Sequence, residues 1–132
     1  MMFRVFSAFT IAFYCFAMTG CSEMKVAPVS GVVTLDGKPL PKASVTFLPE
    51  AGGRPSYGVT DDSGRYRLAY SMNEEGAEVG KCQVKITTAI ESGDYGSKRS
   101  KEKIPARYAK EPKVVEVQSR SNTIDIELTT TP

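Results

Sequence analysis

Residues 29–50 read VSGVVTLDGKPLPKASVTFLPE. Their β-branched side chains fall into two short runs, Val29 to Leu35 and Ala43 to Leu48, split by Asp36-Gly37 and by Pro39 and Pro41. Val, Ile, Thr and Phe suit a pleated, half-buried surface, and a Gly after Asp supplies the positive φ that a tight turn demands. The stretch predicts two strands with a turn between them, the prolines keeping the connection from continuing either one.

Working outward toward the C-terminus, the same pattern recurs. The loop EAGGRPS leads to a short run, Tyr57 to Thr60, and then to DDSG. Tyr66, Leu68 and Tyr70 alternate with Arg65, Arg67 and Ala69, a period of two that puts three large side chains on one face. That pair of runs predicts a hairpin around Asp61 to Gly64. A fifth strand is expected where Cys82, Val84, Ile86 and Thr88 alternate with Lys81, Gln83, Lys85 and Thr87. Val114 to Val117 and Thr123 to Leu128 predict two more, with a turn at Ser121-Asn122. In the last of them Ile124, Ile126 and Leu128 should face inward while Asp125 and Glu127 face water. Seven short strands with no helical pattern point to an all-β sandwich.

Working outward toward the N-terminus, the character changes. MMFRVFSAFTIAFYCFAMTGCSEMK, residues 1–25, carries one cation, Arg4, before an apolar stretch from Val5 to Met18. That order is a secretory leader's, and the stretch is shorter than the roughly 20 apolar residues a spanning helix needs. Met18-Thr19-Gly20-Cys21 resembles a bacterial lipobox, which implies cleavage before Cys21 and lipidation of its thiol. The expected layout is a signal peptide over 1–20, a tether over 21–28 and one sandwich domain over 29–130. Each buried methylene contributes about 0.8 kcal/mol, so two or three acyl chains hold a small domain at a membrane. Ser22 resembles the residue that follows the lipidated cysteine in outer-membrane lipoproteins. Outer membrane or periplasmic face is therefore the expected location.

Composition narrows the chemistry. Lys plus Arg number 17 against 15 Asp plus Glu, so no global field argues for nucleic acid. His is absent, which removes the commonest general base, the commonest metal ligand and every His-activated nucleophile, and the absence of Trp takes away the side chain best suited to stacking on sugars. Cys15 leaves with the leader and Cys21 would be acylated, so Cys82 is the one free thiol expected in the mature chain. Its alternating strand predicts a buried apolar side chain rather than a nucleophile. Asp61 and Asp62 with Ser63 and Gly64 carry oxygen ligands, but too few for a calcium loop, and Asx-turn chemistry accounts for them. The first strand also offers no Lys for an isopeptide cross-link. Neither a metal nor an organic cofactor is expected.

The stretch ESGDYGSKRSKEKIPARYAKEPK is the longest irregular segment and the most charged. Loops of this length are usually functional or mobile. Lys98, Arg99, Lys101, Lys103, Arg107, Tyr108 and Lys110 are the candidate partner-binding residues, with Tyr95, Pro105 and Tyr108 able to pin the loop to the sandwich. A carbohydrate- or wall-binding reading uses the basic loop 95–113 with Tyr57, Tyr95 and Tyr108.

Taken in order, GVVTLDGKPLPKASVTFLPE, GVTDDSGRYRL, GAEVGKCQVKIT, IPARY and NTIDIEL resemble the carboxypeptidase regulatory-like lipoproteins of planctomycete-type bacteria. The resemblance covers nearly all of the mature chain. It implies a transthyretin- or prealbumin-like Greek-key sandwich of seven strands and a non-catalytic module. Cys82 departs from the Tyr common at that position. The expected function is a non-enzymatic, lipid-anchored envelope module for protein contacts or structural support. Its partners would be the membrane, through the N-terminal lipid, and an envelope protein or polysaccharide.

Overall fold

The structure is a computed structural model that describes residues 25–89 and 100–131. The leader, Cys21 and the loop positions Tyr95, Lys98 and Arg99 lie outside the described residues. The described chain is all-β and sandwich-like, with thirteen short strands rather than the seven expected. They are β1 Val26–Ala27, β2 Val29–Leu35, β3 Lys38–Pro39, β4 Ser44–Pro49, β5 Ser56–Val59, β6 Arg65–Arg67 and β7 Ala69–Ser71. Then follow β8 Glu74–Glu75, β9 Ala77–Glu78, β10 Gly80–Thr87, β11 Lys113–Val117, β12 Asn122–Thr123 and β13 Ile126–Leu128. A single helical turn, α1 Arg107–Lys110, interrupts the loop that the sequence leaves irregular.

One sheet has the order β11-β10-β4-β5-β7-β8, and a second places β2 between β12 and β13 on one side and β3 and β6 on the other. β1 pairs separately with β9. The two runs of residues 29–50 therefore do not pair with each other. β2 instead turns straight back on β3, with Leu35 opposite Lys38, through a two-residue turn in which Asp36 and Gly37 take φ of 53° and 79°. Two consecutive positive φ values match the twist of flanking strands, which is why Asp-Gly forms this hairpin. Pro41 and Lys42 then carry the chain across to β4 in the other sheet. Thr60 holds that crossing: its hydroxyl donates to the Leu40 carbonyl at 2.6 Å and accepts the Ala43 N–H at 2.8 Å.

Besides β8, which pairs with β7 inside the stretch expected to be a loop, three further differences raise the strand count. The run expected over residues 66–70 breaks at Leu68, whose N–H donates to Val29 of β2 while its carbonyl accepts from Gly76. β6 thus belongs to the small sheet and β7 to the large one, so the strand changes layers in mid-course. Tyr66 and Leu68 are buried as expected, but Tyr70, beyond the break, is partly exposed and donates its hydroxyl to Glu78 Oε1 at 2.9 Å. The final strand is interrupted at Ile124 and Asp125, where Asp125 Oδ1 takes the Val32 N–H at 2.9 Å in place of a backbone partner. Both of its halves run parallel to β2. Lastly, Val26 and Ala27, within the segment read as a tether, pair with Glu78 and Ala77, and Ala27 is fully buried.

The core lies between the layers. Val29, Val33 and Tyr66 come from the small sheet with Ile126 and Leu128; Val45, Phe47, Cys82, Val84 and Val117 come from the large one. Phe47 and Tyr66 meet across the gap at 6.3 Å between ring centroids, tilted by 44°. Each such side chain withdrawn from water contributes roughly 1.5–3 kcal/mol. Gly31 sits where the Tyr66 ring and the Ile124 backbone converge. A Cβ there would lie 2.0 Å from the Ile124 oxygen. Tyr66 Oη donates to that same oxygen at 2.5 Å.

The registers also define two ends. At the near end are Lys25, whose carbonyl accepts the Val79 N–H, the start of β10 opposite Val117, and the β7–β8 turn around Met72. At the far end are the Asp36-Gly37 turn, Thr60, the close of β10, α1 and the tail 129–131.

Candidate functional site

From Ser100 onward the basic loop lies at the far end, the Ser100 hydroxyl donating to the Thr88 carbonyl. Its anchor is an acid, Glu102. Glu102 Oε1 accepts N–H groups from Thr88 at 2.9 Å and Ile104 at 3.2 Å and the Thr88 hydroxyl at 2.9 Å, while Oε2 accepts the Thr87 hydroxyl. Partial burial works against the charge, but these donors outweigh it and hold the carboxyl down at about 2. Thr88 closes the knot, its hydroxyl oxygen accepting the Lys103 N–H at 2.7 Å. Ile104 next door is buried in the core. Lys101, Lys103 and Lys110 point into solvent around this knot.

Arg107 and Tyr108 do something different from what the sequence suggests. One guanidinium nitrogen of Arg107 donates to Thr129 Oγ1 at 2.8 Å, to the Thr131 carbonyl at 2.8 Å and to the Thr129 carbonyl. Tyr108 Oη accepts the Thr129 N–H at 3.0 Å, and the guanidinium also lies over the tyrosine ring at 5.0 Å. From the opposite side Asp36 takes the Thr130 N–H at 2.9 Å and its hydroxyl at 2.7 Å. The tail is clasped between the β2–β3 turn and α1. Hydrogen bonds from Thr129 and Arg107 favour the phenolate and bring Tyr108 down to about 8; those from Thr130 hold Asp36 below the ordinary carboxylate range.

The other candidates are also held by the fold. Asp61 Oδ1 accepts the N–H groups of Ser63 at 2.9 Å and Arg65 at 3.0 Å, and Gly64 takes φ of 74°, as an Asx turn requires. Among the described residues no three His, Cys, Asp or Glu side chains gather into a metal-holding group. Cys82 is fully buried between Pro49 and Val115, and burial, followed by the Glu78 and Glu50 carboxylates, pushes its thiol up. Such a thiol is a poor nucleophile. Tyr57 is 57% exposed on the outer face of the large sheet, whereas Tyr108 turns toward Val84, Ile86 and Leu128. These two tyrosines do not share a platform.

An open cleft of about 590 Å³ lies along the outer face of β2. Arg65 and Arg67 form one wall, Thr123 and Asp125 the other, with Ser30 and Val32 on the floor. A second hollow of about 320 Å³ continues it past Ser30 and Arg67 toward Pro28 and Asn122. Arg67 approaches Glu75 at 3.9 Å with both side chains well exposed, a pair of little energetic weight. Sequence pattern alone does not find this cleft, because β2, β6 and β12 come together only through the crossover at Leu68 and the parallel return of the chain. Nor does it find Glu102, whose partners lie 14 and 15 residues earlier. Compared with known protein families, curated proteins and solved structures, the chain matches none.

Proposed function

We propose that this chain is a lipid-anchored cell-envelope module, held through Cys21, that serves protein contacts or structural support and carries out no catalysis. It is read as a carboxypeptidase regulatory-like domain of transthyretin-like, Greek-key type. The lipobox-like residues and the ordered motifs of the sequence support the anchor and the family. One structural observation supports the role most directly. Glu102, Asp36, Asp61, Arg107 and Tyr108 each bind backbone groups of the chain itself, so side chains suited to chemistry act as staples for loops.

Feeding cells a clickable fatty acid tests the anchor: label should enter the native chain and vanish in Cys21→Ala, and undiminished labelling of that variant removes the anchor. Cross-linking in intact cells tests the role, with recovery of one defined envelope protein as the expected result. A second reading, polysaccharide binding, draws support from the polar cleft over β2 rather than from the basic loop. Retention on purified wall polymer that is lost in Arg65→Ala with Thr123→Ala would favour it.

A further inference from the structure

If Cys21 carries the lipid, the chain must reach the sandwich at Lys25. Only Ser22, Glu23 and Met24 intervene, and four residue steps span at most roughly 14 Å however they run. Lys25 therefore brings the near end of the domain to the bilayer. That end carries Met72, fully exposed at the tip of the β7–β8 turn, and Val79, 38% exposed beside Lys25. Exposed Lys25, Arg54, Lys81 and Arg120 lie at this end with Glu50, Glu74 and, opposite Lys81, Glu116, so four cations face three acids around the rim.

We infer that this near-end rim, led by Met72 and Val79, is the surface that rests on the bilayer holding the anchor, and that the α1 end faces away from it. The inference rests on the proposed lipidation of Cys21. An apolar tip ringed by long basic stems suits the boundary between headgroups and acyl chains, the stems extending along it with their charges in water. β10 alone, eight residues from Gly80 to Thr87, separates the two ends by roughly 25 Å. That distance exceeds the ~8–10 Å over which salt allows charges to interact. Lys101, Lys103 and Lys110 are then not headgroup ligands for their own membrane. They crown the face turned outward, where an envelope partner would meet it.

The absence of Trp makes the test clean, since a single introduced indole is the only one in the chain. The full-length chain carrying Met72→Trp, Arg120→Trp or Lys110→Trp would be recovered lipidated. It would then be reconstituted in phosphatidylethanolamine–phosphatidylglycerol vesicles brominated near the headgroup end of the acyl chains. All three positions are exposed, and circular dichroism verifies that each variant folds. The expected result is quenching and a blue shift at positions 72 and 120, with emission from position 110 unchanged. Equal quenching at all three, preferential quenching at 110, or none at 72 and 120 overturns the orientation. Loss of fatty-acid label from Cys21 overturns the anchor itself, so the two failures are distinguishable.

Discussion

Replacing Gly31 by Ala tests the packing logic of the whole fold. The added Cβ would sit 2.0 Å from the Ile124 oxygen and 2.6 Å from its carbonyl carbon, both backbone atoms, and 3.0 Å from the Tyr66 ring. Relief needs a backbone shift of more than an ångström, because ordinary contact begins at about 3.4 Å. The displaced segment holds three hydrogen bonds: Ile124 N–H to Ser30 at 2.8 Å, Tyr66 Oη to Ile124 at 2.5 Å, and Val32 N–H to Asp125 at 2.9 Å. Losing two of these costs about 2 kcal/mol, and overpacking adds about 1–3 kcal/mol. A destabilisation of about 3–5 kcal/mol is a large part of the roughly 5–15 kcal/mol available to a small domain. Urea unfolding followed by far-ultraviolet circular dichroism measures it, with Gly37→Ala as the comparison. Gly37 has φ of 79° and nothing near a Cβ, so that change costs only backbone strain, about 1 kcal/mol. A Gly31→Ala protein as stable as Gly37→Ala would refute the contact between β2 and the Ile124 carbonyl.

Glu102 sits in its knot with a carboxyl near 2, below its ordinary 4.5. A depressed acid stabilises the fold fully above the unfolded value, and that contribution fades as pH falls from about 4.5 toward 2. Glu102→Gln should therefore lower the urea midpoint at pH 7 and weaken its further fall in acid; an unchanged acid limb counts against the knot. Absorbance at 295 nm should reveal one tyrosine ionising near pH 8, absent in Tyr108→Phe and moved upward in Arg107→Ala. The clasp then gains stability as pH rises from about 8 to 10, since the folded phenol is the stronger acid. In native protein Cys82 should resist a water-soluble maleimide and react only after unfolding; rapid native labelling would contradict its burial.

Local pattern determined much of this molecule. The span of β2, Val29–Leu35, follows from its β-branched run, and the inward set Ile124, Ile126 and Leu128 follows from alternation, with Ile126 and Leu128 buried and Ile124 partly so. The Asp36-Gly37 turn, the Asx turn at Asp61 and the burial of Cys82 were equally legible. All of these depend on side chains within a few residues of one another, which a linear reading captures. Pairing partners do not. That β2 and β4 lie in different layers, that the chain changes sheets at Leu68, and that its last strands return parallel to β2 are settled by which faces exclude water together. The same holds for the loop. Counting charge makes Arg107 and Tyr108 look like ligands for a partner. Proximity to residues 129–131, more than twenty positions away, turns them into staples, because in a folded chain a hydrogen-bond donor takes the acceptor nearest in space.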